Sequence, residues 1–174
     1  MGLVEFEIAR WDWKTLRCGC GKNGLHLADE LLALARAERE GDSGFDVSSG
    51  HVMLPSVLME PSLPVVSVAL AAVADQTSAV ARHQFLEALL FILSADSQTW
   101  ELENEGRDLL EECRIAALPG IWLLHREVYL GPAVGASSLA FECLTLLDDN
   151  VDRLERVRAD PRAQLAPHVR NAEL

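Results

Sequence analysis

Residues 63–94 read LPVVSVALAAVADQTSAVARHQFLEALLFILS, and this stretch decides the fold. From 63 to 74 every residue except Ser67 is apolar. Asp75-Gln76-Thr77-Ser78 then supplies short polar side chains that suit a turn and a helix N-cap. From 79 to 94, Phe85, Leu86, Leu89, Leu90, Ile92 and Leu93 recur at helical spacing, with Arg82, Gln84 and Glu87 near the start. An apolar stripe this wide is covered on more than one side. The stretch predicts two antiparallel helices inside a larger helical body.

Downstream, 95–106 is an acidic connection. A helix over 105–129 carries Leu109, Leu110, Cys113, Ala116 and Ala117 on its apolar face and kinks at Pro119-Gly120. Gly131-Pro132 turns the chain into a buried helix over 133–147, giving a second antiparallel pair. Residues 151–159 form a short amphipathic helix, and 161–174, broken by Pro161 and Pro167, a loosely docked tail. Upstream, 25–39 reads as helix through Leu27, Leu31 and Leu34, followed by a Gly- and Ser-rich loop at 41–51 and prolines at 55, 61 and 64. Residues 1–24 read as irregular. The alternation of Val4, Phe6 and Ile8 with Glu5 and Glu7 allows one strand, but an isolated strand is not stable. The expectation is an all-α fold of seven to eight helices, a short solenoid of stacked pairs, with no sheet of more than two strands. One domain spans 25–160, and Phe85, Leu89, Leu93, Trp122, Leu139 and Leu144 form its core.

The chain has 174 residues, with 27 acidic against 15 basic and a formal charge of −12. Neutralising phosphate needs clustered Lys and Arg, so this balance argues against nucleic acid and against an anionic membrane surface. No apolar run reaches the roughly 18 residues of a spanning helix. The N-terminus has no signal-peptide core, so the expected location is cytoplasmic.

Several of these segments resemble HEAT repeats. One is Leu63-Pro64-Val65-Val66 with Ala79-Val80-Ala81-Arg82 and Phe85-Leu86-Glu87-Ala88-Leu89-Leu90. The other runs through Cys113, Ala116-Ala117-Leu118-Pro119-Gly120, Gly131-Pro132-Ala133-Val134, Leu139-Ala140, Cys143-Leu144 and Leu147. The opening Trp13-Lys14-Thr15-Leu16, followed by a glycine-rich turn and a Leu-rich helix, is similar to the N-termini of small bacterial HEAT-repeat proteins. The resemblance covers roughly residues 11–160 and implies a HEAT-like, armadillo-type α-solenoid that binds a macromolecule. In such repeats an Asp of the turn and an Arg of the second helix form a ladder. Asp75 and Arg82 match it in the first pair, while Gly131-Pro132 and Gly135 stand there in the second.

No nucleophile elbow, Walker A or H-E-x-x-H motif occurs, so no catalytic residue is assigned. Gly19, Gly21 and Gly24 spell G-x-G-x-x-G, but no strand precedes them and no βαβ unit follows. Cys18, Cys20 and His26 offer three metal ligands and His51 a fourth. C-x-C is tight against the usual C-x₂₋₄-C pairing, so the expectation is a plain turn, no metal and no cofactor. Cys113 and Cys143 read as buried small hydrophobes. His83 and Glu87, at i and i+4, read as a surface pair.

The densest acidic run holds Glu101, Glu103, Glu105, Asp108, Glu111 and Glu112, with Asp96, around Trp100; the expected partner surface is Asp96, Trp100, Glu101, Glu103, Glu105, Asp108 and Glu112. An aromatic among charges is the composition of an interface anchor. The expected function is a non-catalytic protein-binding scaffold, an acidic immunity- or antitoxin-like inhibitor of a basic partner protein. The alternative is a small-molecule or cofactor-binding helical protein with a pocket between the helix pairs.

Overall fold

The computed structural model describes residues 2–46, 49–132 and 134–172. Val47 and Ser48 of the expected loop, Ala133 at the expected start of a helix, and Glu173 and Leu174 of the tail lie outside the described residues, as does Met1.

In chain order the helices are α1 (Leu3–Ala9), α2 (Leu25–Ala35), α3 (Ser62–Ala74), α4 (Ala79–Leu93) and α5 (Trp100–Asn104). They continue with α6 (Leu109–Ala117), α7 (Ile121–Leu130), α8 (Val134–Leu147), α9 (Val151–Ala159) and α10 (Pro167–Arg170). The molecule is mostly helical, with ten α-helices among the described residues where seven to eight were expected. The expected pair 63–74 with 79–94 forms as α3 and α4. The expected pair 105–129 with 133–147 forms only in its second half, α7 with α8: residues 105–108 are not helical, and α6 packs on α3 instead. They pack on each other, α4 against α8 and α3 against α6 and α7. The expected kink is a 3-10 turn, Leu118–Gly120, between α6 and α7. Among the described residues no helix is long and apolar enough to cross a membrane.

The 4–8 alternation is a helix, not a strand. Val4 and Ile8, at i and i+4, turn toward the core, where α1 packs on α3. The Leu3 N–H donates to Asp75 Oδ2 at 2.8 Å, and Glu5 accepts from the Gly2 N–H. Both satisfy donors that a helix start leaves free. The expectation of no sheet beyond two strands is also corrected. β1 (Met53–Leu54) pairs antiparallel with β2 (Val57–Leu58), and β2 pairs parallel with β3 (Ser97–Gln98). Two-residue strands leave no periodic signal to read.

One apolar cluster runs from Val4 to Val169. Phe85, Leu89, Leu93 and Leu144 are buried in it as expected, and so are Cys113 and Cys143. Burial pushes the Cys113 thiol up to about 12. Trp122 is not in the core: it is 69% exposed. Leu124 and Val128 set the inward face of α7, and the side two residues earlier points out. Leu139 is only half-buried. The tail is docked through buried Ala163, Leu165 and Val169.

Arg82 departs from the ladder that the resemblance implies. The Asp75 carboxylate is taken by α1, so Arg82 meets only the Asp75 backbone carbonyl, at 2.8 Å, and that of Val73 at 3.1 Å. Its Nη1 also donates to Glu127 Oε2 at 2.8 Å, a buried ion pair between α4 and α7. One guanidinium thereby satisfies the C-terminal end of α3 and ties the two helix pairs together.

Candidate metal centre

Four soft or borderline ligands converge where the chain enters α2. Residues 17–23 form a tight turn: Cys18 N donates to Lys22 O at 3.0 Å, Gly21 N donates to Cys18 O at 2.9 Å, and Arg17 bridges Asn23. Gly21 takes φ +77, a left-handed conformation that glycine adopts freely. The turn lies flat against residues 50–51, with Gly19 N donating to His51 O at 3.1 Å. A Cβ on Gly19 would stand 1.9 Å from the Gly50 carbonyl oxygen, so only glycine lets the two segments touch. His51 is carried there by Val52, which is fully buried and whose carbonyl accepts from Met59 N and from the Ser62 hydroxyl, both at 2.9 Å.

The ligand atoms of Cys18, Cys20, His26 and His51 lie within 4.8 Å of one another. Sγ of Cys18 stands 3.4 Å from Sγ of Cys20, 3.3 Å from His51 Nδ1 and 3.8 Å from His26 Nε2. The two imidazole nitrogens are 3.1 Å apart. His26, on the first turn of α2, sets its Nδ1 3.1 Å from the Asn23 carbonyl. A proton on Nδ1 donates to that oxygen and leaves the Nε2 lone pair facing the cluster. Burial pushes the Cys18 thiol up to about 11, against the Cys20 backbone N–H, which favours the thiolate. Cys18 is buried, both histidines are half-buried and Cys20 is exposed. Beside the cluster opens a cleft of about 510 Å³, with Lys22, Asp29 and Glu30 on its walls. The sequence holds all four ligands but not their convergence, because His51 follows Cys18 by 33 residues.

The acidic segment is organised differently from its composition. Asp96, Trp100, Glu101, Glu103, Glu105 and Asp108 are exposed and Glu112 is half-buried. Three of the seven are engaged within the chain. Glu105 accepts two bonds of 2.8 Å from Arg17, and Glu112 pairs with Arg107. Asp108 caps α6 by accepting from Glu111 N at 3.0 Å. Glu60 sits between Arg17 and Arg107 and is held below the usual carboxylate range; burial opposes that shift, and the paired Arg17 outweighs it. Gln98 clamps the segment, donating to Arg107 O at 2.6 Å and accepting from Leu109 N at 2.5 Å. Asp96, Glu101 and Glu103 form no salt bridge among the described residues, and Trp100 is 66% exposed beside them.

A cleft of about 600 Å³ opens between α8, α9 and α10, lined by Phe141, Asp148, Leu154, His168 and Val169. It lies away from the seam between the helix pairs.

Compared with protein-family models, with curated proteins and with solved structures, the chain finds no match.

Proposed function

We propose that the chain is a non-catalytic, HEAT-like protein-binding scaffold that recognises a basic partner protein through residues 96–112. The observation that carries this reading is the two-thirds exposed indole of Trp100 at the start of α5. Around it stand three carboxylates that no cation of the chain neutralises by a salt bridge among the described residues: Asp96, Glu101 and Glu103. An exposed aromatic with a charged rim is the composition of a binding hot spot. The Arg17–Glu60–Arg107 network and the Gln98 clamp hold the platform under it. The charge of −12 speeds encounter with cationic proteins. Two stacked helix pairs joined through Arg82 and Glu127 support the solenoid part of the reading. An inhibitor that masks a basic partner would use the same surface.

The test is affinity capture followed by binding kinetics on the captured protein, with wild-type, Trp100→Ala and Glu101→Lys/Glu103→Lys chains. Trp100→Ala is expected to raise the off-rate about 30-fold, corresponding to ~2 kcal/mol. The charge reversal is expected to lower the on-rate and flatten its salt dependence. Glu105 is left unchanged because its reversal would also break the pair with Arg17. A partner indifferent to both variants overturns the reading. The small-molecule alternative has its own observation in the 600 Å³ cleft beside α9, a volume in the range of ligand sites.

A further inference from the structure

We propose that Cys18, Cys20, His26 and His51 bind one zinc ion as a four-coordinate structural centre. This reverses the expectation drawn from sequence, and the reason is geometric. Tetrahedral zinc, with bonds of about 2.3 Å to sulfur and about 2.05 Å to nitrogen, requires edges near about 3.8 Å for S···S, about 3.5 Å for S···N and about 3.3 Å for N···N. The cluster has 3.4 Å for S···S, 3.3 and 3.8 Å for two S···N edges and 3.1 Å for N···N. The two edges from Cys20 Sγ to the imidazole nitrogens lie within 4.8 Å, so a single ion meets Cys18, His26 and His51 with adjustments of a few tenths of an ångström, and exposed Cys20 closes on it by a side-chain rotation of at most about 1.3 Å. Two thiolates with two imidazoles select zinc over the hard cations, which favour carboxylate and water. None of the four ligands is a carboxylate.

The supporting groups fit the same role. The Asn23 carbonyl fixes the His26 tautomer that presents Nε2. Gly19 and Gly21 let the C-x-C turn fold against residues 50–51. Four protein ligands leave no open position, so the ion is structural rather than catalytic. It would join the C-x-C turn, the first turn of α2 and His51 just ahead of β1, three points far apart in the chain.

The test uses the full chain, untagged and fully reduced. Elemental analysis is expected to give about one zinc per chain. Cobalt replacing zinc is expected to show thiolate-to-metal charge transfer and the intense visible bands of a tetrahedral ion. Cys18→Ser/Cys20→Ser and His51→Asn should each lose the stoichiometric metal. Stripping the ion with a chelator should lower the thermal midpoint by about 10 °C, and zinc but not magnesium should restore it. Should the variants fold poorly, X-ray absorption on the wild-type zinc protein decides, with two sulfur and two nitrogen neighbours expected. Reduced wild-type chain that takes up no zinc overturns the proposal. So does zinc retained in full by both variants, or a metal shell without sulfur. Partner binding through Trp100 is read separately, so either proposal can fail alone.

Discussion

Asp148 shows how much one buried carboxylate depends on its neighbours. Its side chain is 2% exposed; Arg153 forks onto both oxygens, Asn150 N donates at 3.0 Å and His125 Nε2 stands 3.4 Å away. The Arg153 guanidinium, chiefly, holds Asp148 at about 2. His125 is held below its ordinary value because burial disfavours the imidazolium more than Asp148 favours it. Both shifts have the same sign for stability. The unfolded chain takes up each proton at a higher pH than the folded one does, so acid favours unfolding. The His125 contribution is complete above its unfolded value near about 6.5 and is lost as pH falls below that. The Asp148 contribution is lost between about 4 and about 2, and amounts to ~2 kcal/mol at neutral pH. Urea melts across pH should therefore show two descending limbs. His125→Asn is expected to flatten the upper limb and Asp148→Asn the lower one; unchanged profiles would show the pair to be thermodynamically silent.

At the scale of elements, α4 carries the most informative substitutions. Leu89 is fully buried, and Leu89→Ala should cost ~2–5 kcal/mol in urea melts, through lost transfer energy and a residual cavity. Arg82 works differently. Arg82→Met leaves Glu127 charged and buried, and frees the carbonyls of Val73 and Asp75 at the end of α3. Breaking one side of a buried pair costs about 3–5 kcal/mol. Adding Glu127→Leu should recover part of that loss, because the second substitution removes the stranded charge. A double-mutant cycle with no coupling would mean that the pair does not join α4 to α7 energetically. Sequence spacing identifies α4 well, since its apolar residues have a helical period. It does not identify the partner of Arg82. Glu127 lies between Leu124 and Val128 on an inward face, and a buried acid there was the one available sign of an ion pair.

At the scale of the whole molecule, the ends belong to the core. Ala163, Leu165 and Val169 are buried, Ala166 N donates to Ser138 at 2.9 Å, and Arg170 donates to the carbonyls of Arg158, Asp160 and Ala163. Deleting 161–174 should therefore lower stability by several kcal/mol, since it uncovers apolar area at about 25 cal/mol per Å² and strips α9 of cover. A deletion variant with an unchanged urea midpoint would return this segment to the status of a loose tail. The same reasoning applies at the other end, where Val4, Trp13 and Cys18 join the cluster, and the Trp13 indole N–H donates to the Ile8 carbonyl at 2.8 Å.

The sequence by itself determined the helical class, the pairing of α3 with α4 and of α7 with α8, the break at Pro119, and the buried positions of Phe85, Leu89, Leu93 and Leu144. These follow from local period, proline and turn chemistry, which act over a few residues. It also held the acidic segment with Trp100, although not which of those acids the chain itself neutralises. Tertiary structure alone decided that Trp122 faces outward, that Arg82 pairs with Glu127, and that the two-residue strands tie 53–58 to 97–98. It alone brought His51 to the Cys18–Cys20 turn. Each of these depends on which distant surfaces meet, and contacts between residues tens of positions apart leave no period in the chain to read.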